Sequence, residues 1–337
     1  MTQIELRERG RQGSMLNWMR LALVATMGIP MLSVGVAKSE QYPSRTISIV
    51  TPVAPGVPFD LLGRLFADKL RQKLGTSAVI ENVTGGNGLI ATQRVLNAKA
   101  DGYSLLLAST GLTAAPSIMN NAGYSPSDFV AIAPLGQVPY VLLVSNAVPA
   151  NDIQSLMAYV KDHAKSINFG VLMTSGTGSL LPRKLGSIAN VELTEVGYRG
   201  STAMITALLA NEIQIMATTY SVAGPHLEAG KIKAIGTLGD ERMRQLPNLP
   251  TFKEKGHPSL TTIVWAGLFA RAGTPPEVLS KARAVSREIV ADPSYLKAME
   301  TTGMEPWSIP FDSLQAYVDE DAKAFRLDAD TFKLKPE

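Results

Sequence analysis

The sequence contains no cysteine and only three histidines among its 337 residues. The absence of cysteine excludes disulfide bonds and thiolate metal ligands. His163, His226 and His257 are widely separated, and none of them stands at metal-ligand spacing from another. We therefore expect neither a bound metal ion nor a cofactor.

The chain also lacks concentrated charge and a convincing nucleotide motif. Its formal net charge is only +3, and no basic run is interleaved with aromatic residues, so we do not expect nucleic-acid binding. Gly86–Ala91 fits the G-x-G-x-x-[GA] pattern, but it follows the second strand of its unit, and no strand-end acid follows about twenty residues later. The glycines predict a tight loop that leads into a helix.

Residues 1–37 are predicted to be a cleaved secretory signal peptide. A basic stretch is followed by an apolar run over residues 21–37, and Gly35 and Ala37 are small enough for cleavage after Ala37. The protein is therefore expected in the periplasm.

Two points about this leader stay open. An uncleaved membrane anchor is the alternative, and it fits less well because the apolar run is short and contains Gly28 and Pro30. Translation can start at Met1 or at Met15.

The rest of the chain contains the same strand–helix unit twice. The first copy is predicted to have strands at 46–50, 78–81 and 103–108 with helices at 60–74 and 90–98. The second is predicted to have strands at 167–172, 191–196 and 213–217 with helices at 180–188 and 202–210. This alternation predicts two parallel, doubly wound α/β sheets, and therefore two lobes.

The segment after Trp265 has one predicted strand and three helices but no complete unit of its own. We expect it to return to the first lobe. Lobe 1 is then 42–142 with 264–337, and lobe 2 is 143–263. The chain crosses twice between the lobes, near 140–147 and 259–266, and these crossings are the expected hinge of a ligand cleft.

The loops that follow the strands are small, polar and almost uncharged. In open α/β sheets, ligands lie beyond the carboxyl ends of the strands, where helix N-termini present free N–H groups. The converging loops are 51–57, 83–88, 109–113, 173–179, 198–201 and 218–221. An anion suits such a cleft, and a carboxylate is the simplest candidate.

Several short motifs resemble those of a known family. They are Tyr42-Pro43-Ser44-Arg45, Pro52-Val53-Ala54-Pro55-Gly56 with Asp60, Glu81-Asn82, Gly85-Gly86-Asn87-Gly88, Asp101-Gly102-Tyr103, Tyr198-Arg199-Gly200-Ser201 and Ala272-Gly273-Thr274-Pro275-Pro276. In unbroken order to the C-terminus, they resemble the Bug receptors, the extracytoplasmic solute-binding proteins of tripartite tricarboxylate transporters.

The resemblance implies a periplasmic binding protein-like fold that closes over a small organic carboxylate without chemistry. It implies membrane permease subunits as partners, and we expect a monomer. Carried over by position, it implies a set of ligand-binding residues in both lobes. They are Val53, Ala54, Pro55, Gly56, Val57, Asp60, Ser109, Thr110, Ser175, Gly176, Thr177, Gly178, Ser179, Tyr198, Gly200, Ser201, Thr218, Thr219 and Tyr220.

This sequence departs from the family pattern at the first loop and after the last strand of lobe 2. Val53 replaces an aromatic residue, and Val57 replaces a glycine. Thr218 stands where an aspartate is often found, which removes a partner for a ligand ammonium group. An apolar or aromatic mono- or dicarboxylate therefore fits better than an amino acid.

Two alternatives to a transport receptor remain. The ligand-bound protein can signal to a membrane sensor instead of a permease. It can also be a hydrolase that uses Ser175, although G-x-S-x-G is not matched and no histidine has an obvious aspartate partner.

Overall fold

The computed structural model describes residues 42–172 and 176–334, which form nine strands and ten α-helices in the described parts of the chain. The strands are β1 Ile47–Thr51, β2 Ala78–Asn82, β3 Ser104–Ala108, β4 Phe129–Ser145, β5 Asn168–Val171, β6 Thr194–Gly197, β7 Ile215–Thr219, β8 Ile232–Thr237 and β9 Ile263–Arg271. The helices are α1 Pro58–Leu74, α2 Leu89–Leu96, α3 Gly111–Ile118, α4 Ile153–His163, α5 Leu180–Ala189, α6 Ser201–Leu209, α7 Tyr220–Glu228, α8 Pro276–Val290, α9 Pro293–Glu300 and α10 Leu314–Phe332.

Two sheets share the strand β4. The first has the order β2-β1-β3-β9-β4, with β1 parallel to β2 and β3, and β9 antiparallel to its neighbours β3 and β4. The second contains β6-β5-β7-β4-β8, with β5 parallel to β6 and β7, and β4 antiparallel to β7 and β8. The prediction of two α/β lobes is confirmed, and each lobe also contains antiparallel strands.

Strand β4 passes from one sheet to the other without a break. It pairs with β9 as far as Pro139 and with β7 from Tyr140 onward. Two prolines and Gly136 lie within this strand, a composition that normally argues against a continuous strand. Register shifts between Ala131 and Ala133 and between Pro134 and Gly136 accommodate Pro134 and Gly136, as bulges do. Pro139 lies where β4 changes its partner from β9 to β7.

Each sheet is covered on both faces by an apolar cluster. Alternate residues along β3 enter different clusters, with Leu105 and Leu107 in one and Leu106 in the other. In lobe 2, Leu142 and Leu143 on β4 likewise belong to opposite clusters. Because side chains alternate along a strand, both sheets are buried on two sides, as expected for doubly wound folds.

Helix α1 shows how local sequence fixes an element. Pro58 occupies its first turn, and Gly75 ends it in the left-handed conformation at φ 65°. Leu62, Phe66 and Leu70 are buried against the core, whereas Leu61 is 40% exposed. The i, i+4, i+8 spacing is therefore the buried face of this helix.

Several elements were not predicted from the sequence. Helix α3 begins at Gly111, within the predicted loop 109–113, and α7 begins at Tyr220, within the predicted loop 218–221. Helix α4 and strand β8 were also missed, and β6 begins at Thr194 instead of Val191. The early starts of α3 and α7 shorten two loops and bring helix N-termini close to the strand ends.

The last helix, α10, contacts both lobes. It packs along α3 of the first lobe and reaches α5 of the second. Ile118 of α3 and Leu180 of α5 share an apolar cluster with Ala329 and Phe325 of α10. Helices α8 and α9 contact α1, and α10 also lines one side of the cavity between the lobes.

Candidate functional site

The carboxyl ends of the parallel strands form one edge in each lobe. In the first lobe these are the ends of β1, β2 and β3, and in the second those of β5, β6 and β7. A cavity of about 390 Å³ is lined by Thr110 after β3 together with Val171, Gly178 and Ala217 from the second lobe. Residues from both edges thus line a single cavity.

The carboxylate of Asp60 fixes the first loop, residues 52–57, through hydrogen bonds. This side chain is 1% exposed, and it accepts hydrogen bonds from the Gly56 N–H at 2.8 Å and from Arg64 Nε at 2.9 Å. Asn82 donates to Asp60 Oδ1 at 2.8 Å and to the Val53 carbonyl at 3.0 Å. The loop is therefore fixed at Val53 and Gly56, while Ala54–Val57 face solvent.

The environment of Asp60 keeps it ionised. Burial alone raises its pKa, but the hydrogen bonds from Arg64, Gly56 and Asn82 outweigh burial and lower the pKa below its usual range. A carboxylate that is both buried and fully bonded to its own loop is a positioning group. Its hydrogen-bonding capacity is directed at the protein.

The loop after β3 contributes two adjacent hydroxyls. Ser109 Oγ and Thr110 Oγ1 lie 3.4 Å apart, and the Ser109 and Thr110 carbonyls accept the first hydrogen bonds of α3. The Thr110 hydroxyl caps no backbone N–H of that helix. Both residues are half-buried, and Thr110 lines the cavity.

The loop after β5 leads into α5 through a short 3₁₀ turn at Gly176–Ser179. Ser175 lies outside the described residues, and the side chain of Thr177 is likewise not described. Gly178 lines the cavity. Ser179 is fully buried, and its hydroxyl donates to Glu195 of β6.

The carboxylate of Glu195 accepts a hydrogen bond from Arg183 as well as from Ser179. Arg183 Nε donates to Glu195 Oε1 at 2.9 Å, and its Nη1 donates to the Phe332 carbonyl at the end of α10 at 2.8 Å. The hydroxyl of Ser179 is thus used inside the protein to anchor the start of α5.

The two remaining loops of lobe 2 present aromatic and small residues. Tyr198 and Tyr220 both pack partly buried against the cluster around Met204 and Ala223. Gly200 precedes α6, and Ser201 is its first residue. The Tyr220 hydroxyl donates to Glu228 at 3.0 Å, which fixes the ring along α7.

Thr218 and Thr219 are the last two residues of β7 instead of loop residues. Thr218 is 1% exposed, and its hydroxyl has no hydrogen-bond partner among the described residues. Thr219 Oγ1 lies 2.8 Å from Ser221 Oγ at the start of α7. Of the predicted site residues that the structure describes, only Thr110 and Gly178 line the cavity, and the wider set stays a prediction.

Residues that were not predicted form much of the cavity wall. Tyr140 lies where β4 changes sheets, and Tyr317, Asp321 and Phe325 come from α10. The last three stand at i, i+4 and i+8, so they lie on one face of the helix. That spacing is visible in the sequence, but nothing there indicates that α10 reaches the cleft.

The described residues contain neither a metal-ligand cluster nor a membrane-spanning helix. No group of three or more histidine, aspartate and glutamate residues within 42–172 and 176–334 could hold a metal ion. Over the same ranges, no helix is long and apolar enough to cross a membrane.

Two α/β lobes that share two crossing segments and face one cavity define the class of periplasmic binding proteins. The family model described as the tripartite tricarboxylate transporter family receptor matches residues 62–327. The chain belongs to this family, which is a family of solute-binding receptors, and membership indicates an extracytoplasmic protein.

Relatives of known sequence or structure agree with this assignment. A UPF0065 protein of Bordetella pertussis is 31% identical over 299 residues, which cover 88% of this chain and 92% of the relative. The periplasmic binding protein BugD is 30% identical, with a TM-score of 0.66 over 88% of this chain and 100% of BugD. An R. palustris protein solved with adipate is 28% identical, with a TM-score of 0.69 over 88% of this chain and 100% of that protein.

Proposed function

We propose that the protein captures a small organic carboxylate between its lobes and delivers it to the membrane permease of a tripartite tricarboxylate-type transporter. The observation that carries this proposal is the cavity lined by the strand ends of both lobes. A ligand held there contacts both lobes at once, so binding favours their closed arrangement. Family membership and the adipate in one relative support a carboxylate as ligand.

The chemistry of the site is suited to a single anion. Helix N-termini at α1, α3, α5, α6 and α7 follow the strand ends and present partial positive charge there. Neutral donors contribute about 1 kcal/mol each, and more when the acceptor is charged. The site performs no reaction in this proposal, and the ligand leaves unchanged.

Export precedes capture in the proposed pathway. Residues 1–37 act as the signal peptide, and the mature protein starts after Ala37. Intact-mass measurement of protein recovered from the periplasm of an expression host tests this step. Recovery of a mass that includes residues 1–37 would contradict cleavage.

A thermal-shift screen of the periplasmic protein tests capture. The panel contains aliphatic, aromatic and amino carboxylates, each at a concentration far above its expected Kd. A ligand at 100 times its Kd adds about 2.7 kcal/mol to the stability of the folded state and should raise Tm by several degrees. Recovery of the ligand with unchanged mass supports a receptor, whereas a product supports an enzyme, and no shift with any acid would overturn the proposal.

A further inference from the structure

The cavity between the lobes continues past the loops that are expected to hold a carboxylate. Its walls there are mostly apolar, with Phe169 and Leu172 from lobe 2, Ile263 and Val264 from the crossing segment and Phe325 from α10. The volume of about 390 Å³ exceeds what a carboxylate group alone occupies. The body of the ligand therefore has an apolar compartment.

The charged groups in the described lining are unevenly balanced. Asp321 and Asp328 of α10 face the cavity, and Lys184 of α5 is the single basic residue among the described lining residues. Lys184 Nζ lies 2.6 Å from Asp328 Oδ2, with side-chain exposures of 20% and 18%. A second carboxylate on the ligand would compete with Asp328 for that lysine and would face Asp321 without a cation of its own.

Asp321 has one oxygen engaged and one open. Thr113 Oγ1 lies 2.6 Å from Asp321 Oδ2, and Trp265 Nε1 donates to the same oxygen at 3.2 Å. Oδ1 accepts no hydrogen bond from the described residues. The same Thr113 hydroxyl lies 2.9 Å from the Thr110 carbonyl, so Asp321 lies next to the loop after β3.

The burial of Asp321 makes a second negative charge beside it costly. Burial raises the pKa of Asp321, opposed by the hydrogen bonds from Thr113 and Trp265 and by the charge of Lys184, while Asp328 raises it further. In such an environment an unpaired acceptor favours a neutral donor and disfavours an anion.

From this geometry we infer that the ligand is a monocarboxylate with an apolar body and a hydrogen-bond donor, such as a hydroxyl, for Asp321 Oδ1. Dicarboxylates are rejected by the acidic wall of α10. The inference rests on the proposed function, because it assumes that the ligand has a carboxylate bound at the loops. It also separates this chain from the relative that was solved with adipate, a dicarboxylate.

Titration calorimetry with two matched series tests the inference. The aliphatic series is hexanoate, 6-hydroxyhexanoate and adipate, and the aromatic series is benzoate, 4-hydroxybenzoate and terephthalate. In at least one series the hydroxy acid should bind about tenfold or more tighter than the dicarboxylate, as expected for replacing a paired donor with an unpaired anion. The wild-type ratio can overturn the inference by itself, so the test does not depend on the folding of a variant.

Asp321→Asn sharpens the test. The amide oxygen of the introduced side chain can still accept from Trp265 and Thr113, which turns its NH₂ group, a donor, toward the cavity. The preference for the hydroxy acid should shrink at least severalfold, and the dicarboxylate should gain. Asp319→Asn, an equal change of charge on an exposed position of the same helix, is the matched control and should leave the ratio unchanged.

Three outcomes overturn the inference. They are the lack, in both series, of tighter binding of the hydroxy acid than of the dicarboxylate, an unchanged ratio in Asp321→Asn, and binding of none of the six acids by a protein that binds another carboxylate in the thermal-shift screen. The last outcome leaves the proposed function standing. Failure of every carboxylate in both experiments overturns the proposed function itself.

Discussion

The two lobes repeat the same strand–helix unit, but they stabilise the start of their first crossover in different ways. In lobe 1 the buried carboxylate, Asp60, lies on the helix and binds the Gly56 N–H of the loop directly. In lobe 2 the carboxylate, Glu195, lies on the neighbouring strand and binds the hydroxyl of Ser179 at the end of the loop. Each carboxylate has an arginine partner on the crossover helix, Arg64 in one case and Arg183 in the other.

The two arrangements differ in the second hydrogen-bond acceptor of each arginine. Arg64 donates to Asn82 at the end of β2, so the bonds of this arginine to Asp60 and Asn82 stay within lobe 1. Arg183 also donates to the Phe332 carbonyl of α10, a helix that packs on lobe 1. The repeat has thus kept its topology, while in lobe 2 the loop support has become part of the contact between lobes.

Removal of the lobe 1 carboxylate should have the largest effect. Asp60→Ala should lower the free energy of unfolding by about 3 kcal/mol, because the Gly56 N–H, Arg64 and Asn82 lose an acceptor that is almost fully buried. Urea unfolding of the purified protein measures this change. Asp68→Ala, on the same helix with a 65% exposed side chain, is the control and should stay within about 0.5 kcal/mol of wild type.

Equal losses in Asp60→Ala and Asp68→Ala would show that the Asp60 arrangement contributes nothing special to the fold. The loop itself provides a second readout. Hydrogen exchange of the Gly56 amide should accelerate in Asp60→Ala and remain at the wild-type rate in Asp68→Ala.

Removal of the lobe 2 carboxylate should cost less. Glu195→Ala should lower the free energy of unfolding by about 1.5 kcal/mol, because Arg183 is one-third exposed and keeps its bond to Phe332. The same urea experiment measures it. In the double variant Asp60→Ala/Glu195→Ala, the two losses of unfolding free energy should add to within about 0.5 kcal/mol, since the two carboxylates share no partner. A clearly non-additive loss would show that the two carboxylates are not independent.

The smallest effect concerns pH, and it has opposite signs for Asp60 and Asp321. The pKa of Asp60 is lowered in the folded state, so its stabilisation is present above the unfolded pKa of about 4 and is lost as the pH falls through the folded value. The pKa of Asp321 is raised, so its contribution is greatest below about pH 4 and is lost as the pH rises through the folded value.

Urea unfolding at pH 3, 5 and 7 distinguishes the two groups. The destabilisation caused by Asp60→Ala should decrease toward pH 3. Asp321→Asn should become more favourable relative to wild type as the pH rises, because the asparagine carries no buried charge. Parallel pH profiles for the two variants would rule out the assigned environments.

The sequence predicted the repeated units well because each has clear strand and helix periods. It failed where tertiary contacts override local signals. Pro134, Gly136 and Pro139 made a seventeen-residue strand unrecognisable in the sequence. The bulges at Pro134 and Gly136 depend on pairing with β9, and Pro139 lies where the partner strand changes. Helix α3 contains Pro116, and α7 contains Pro225, so neither has an uninterrupted helical pattern.

The sequence predicted that the candidate site lies at the carboxyl ends of the parallel strands, but it did not predict which side chains line the cavity. Parallel strands require their carboxyl ends to meet, and the structure places the described loops at those edges. The inward direction of the Ser179 hydroxyl depends on Glu195, sixteen residues later on another strand. The cavity face of α10 depends on how a C-terminal helix docks between lobes, which no local pattern encodes.

Because β4 belongs to both sheets, the two lobes are joined by a hydrogen-bonded strand and not only by a loop. Its pairing passes from β9 to β7 between the consecutive residues Pro139 and Tyr140. Leu238 ties the second crossing to the first, since its N–H donates to the Tyr140 carbonyl and its carbonyl accepts from Thr262. A change in the angle between the lobes therefore has to bend β4 where its partner changes, and Tyr140, which lines the cavity, lies at that position.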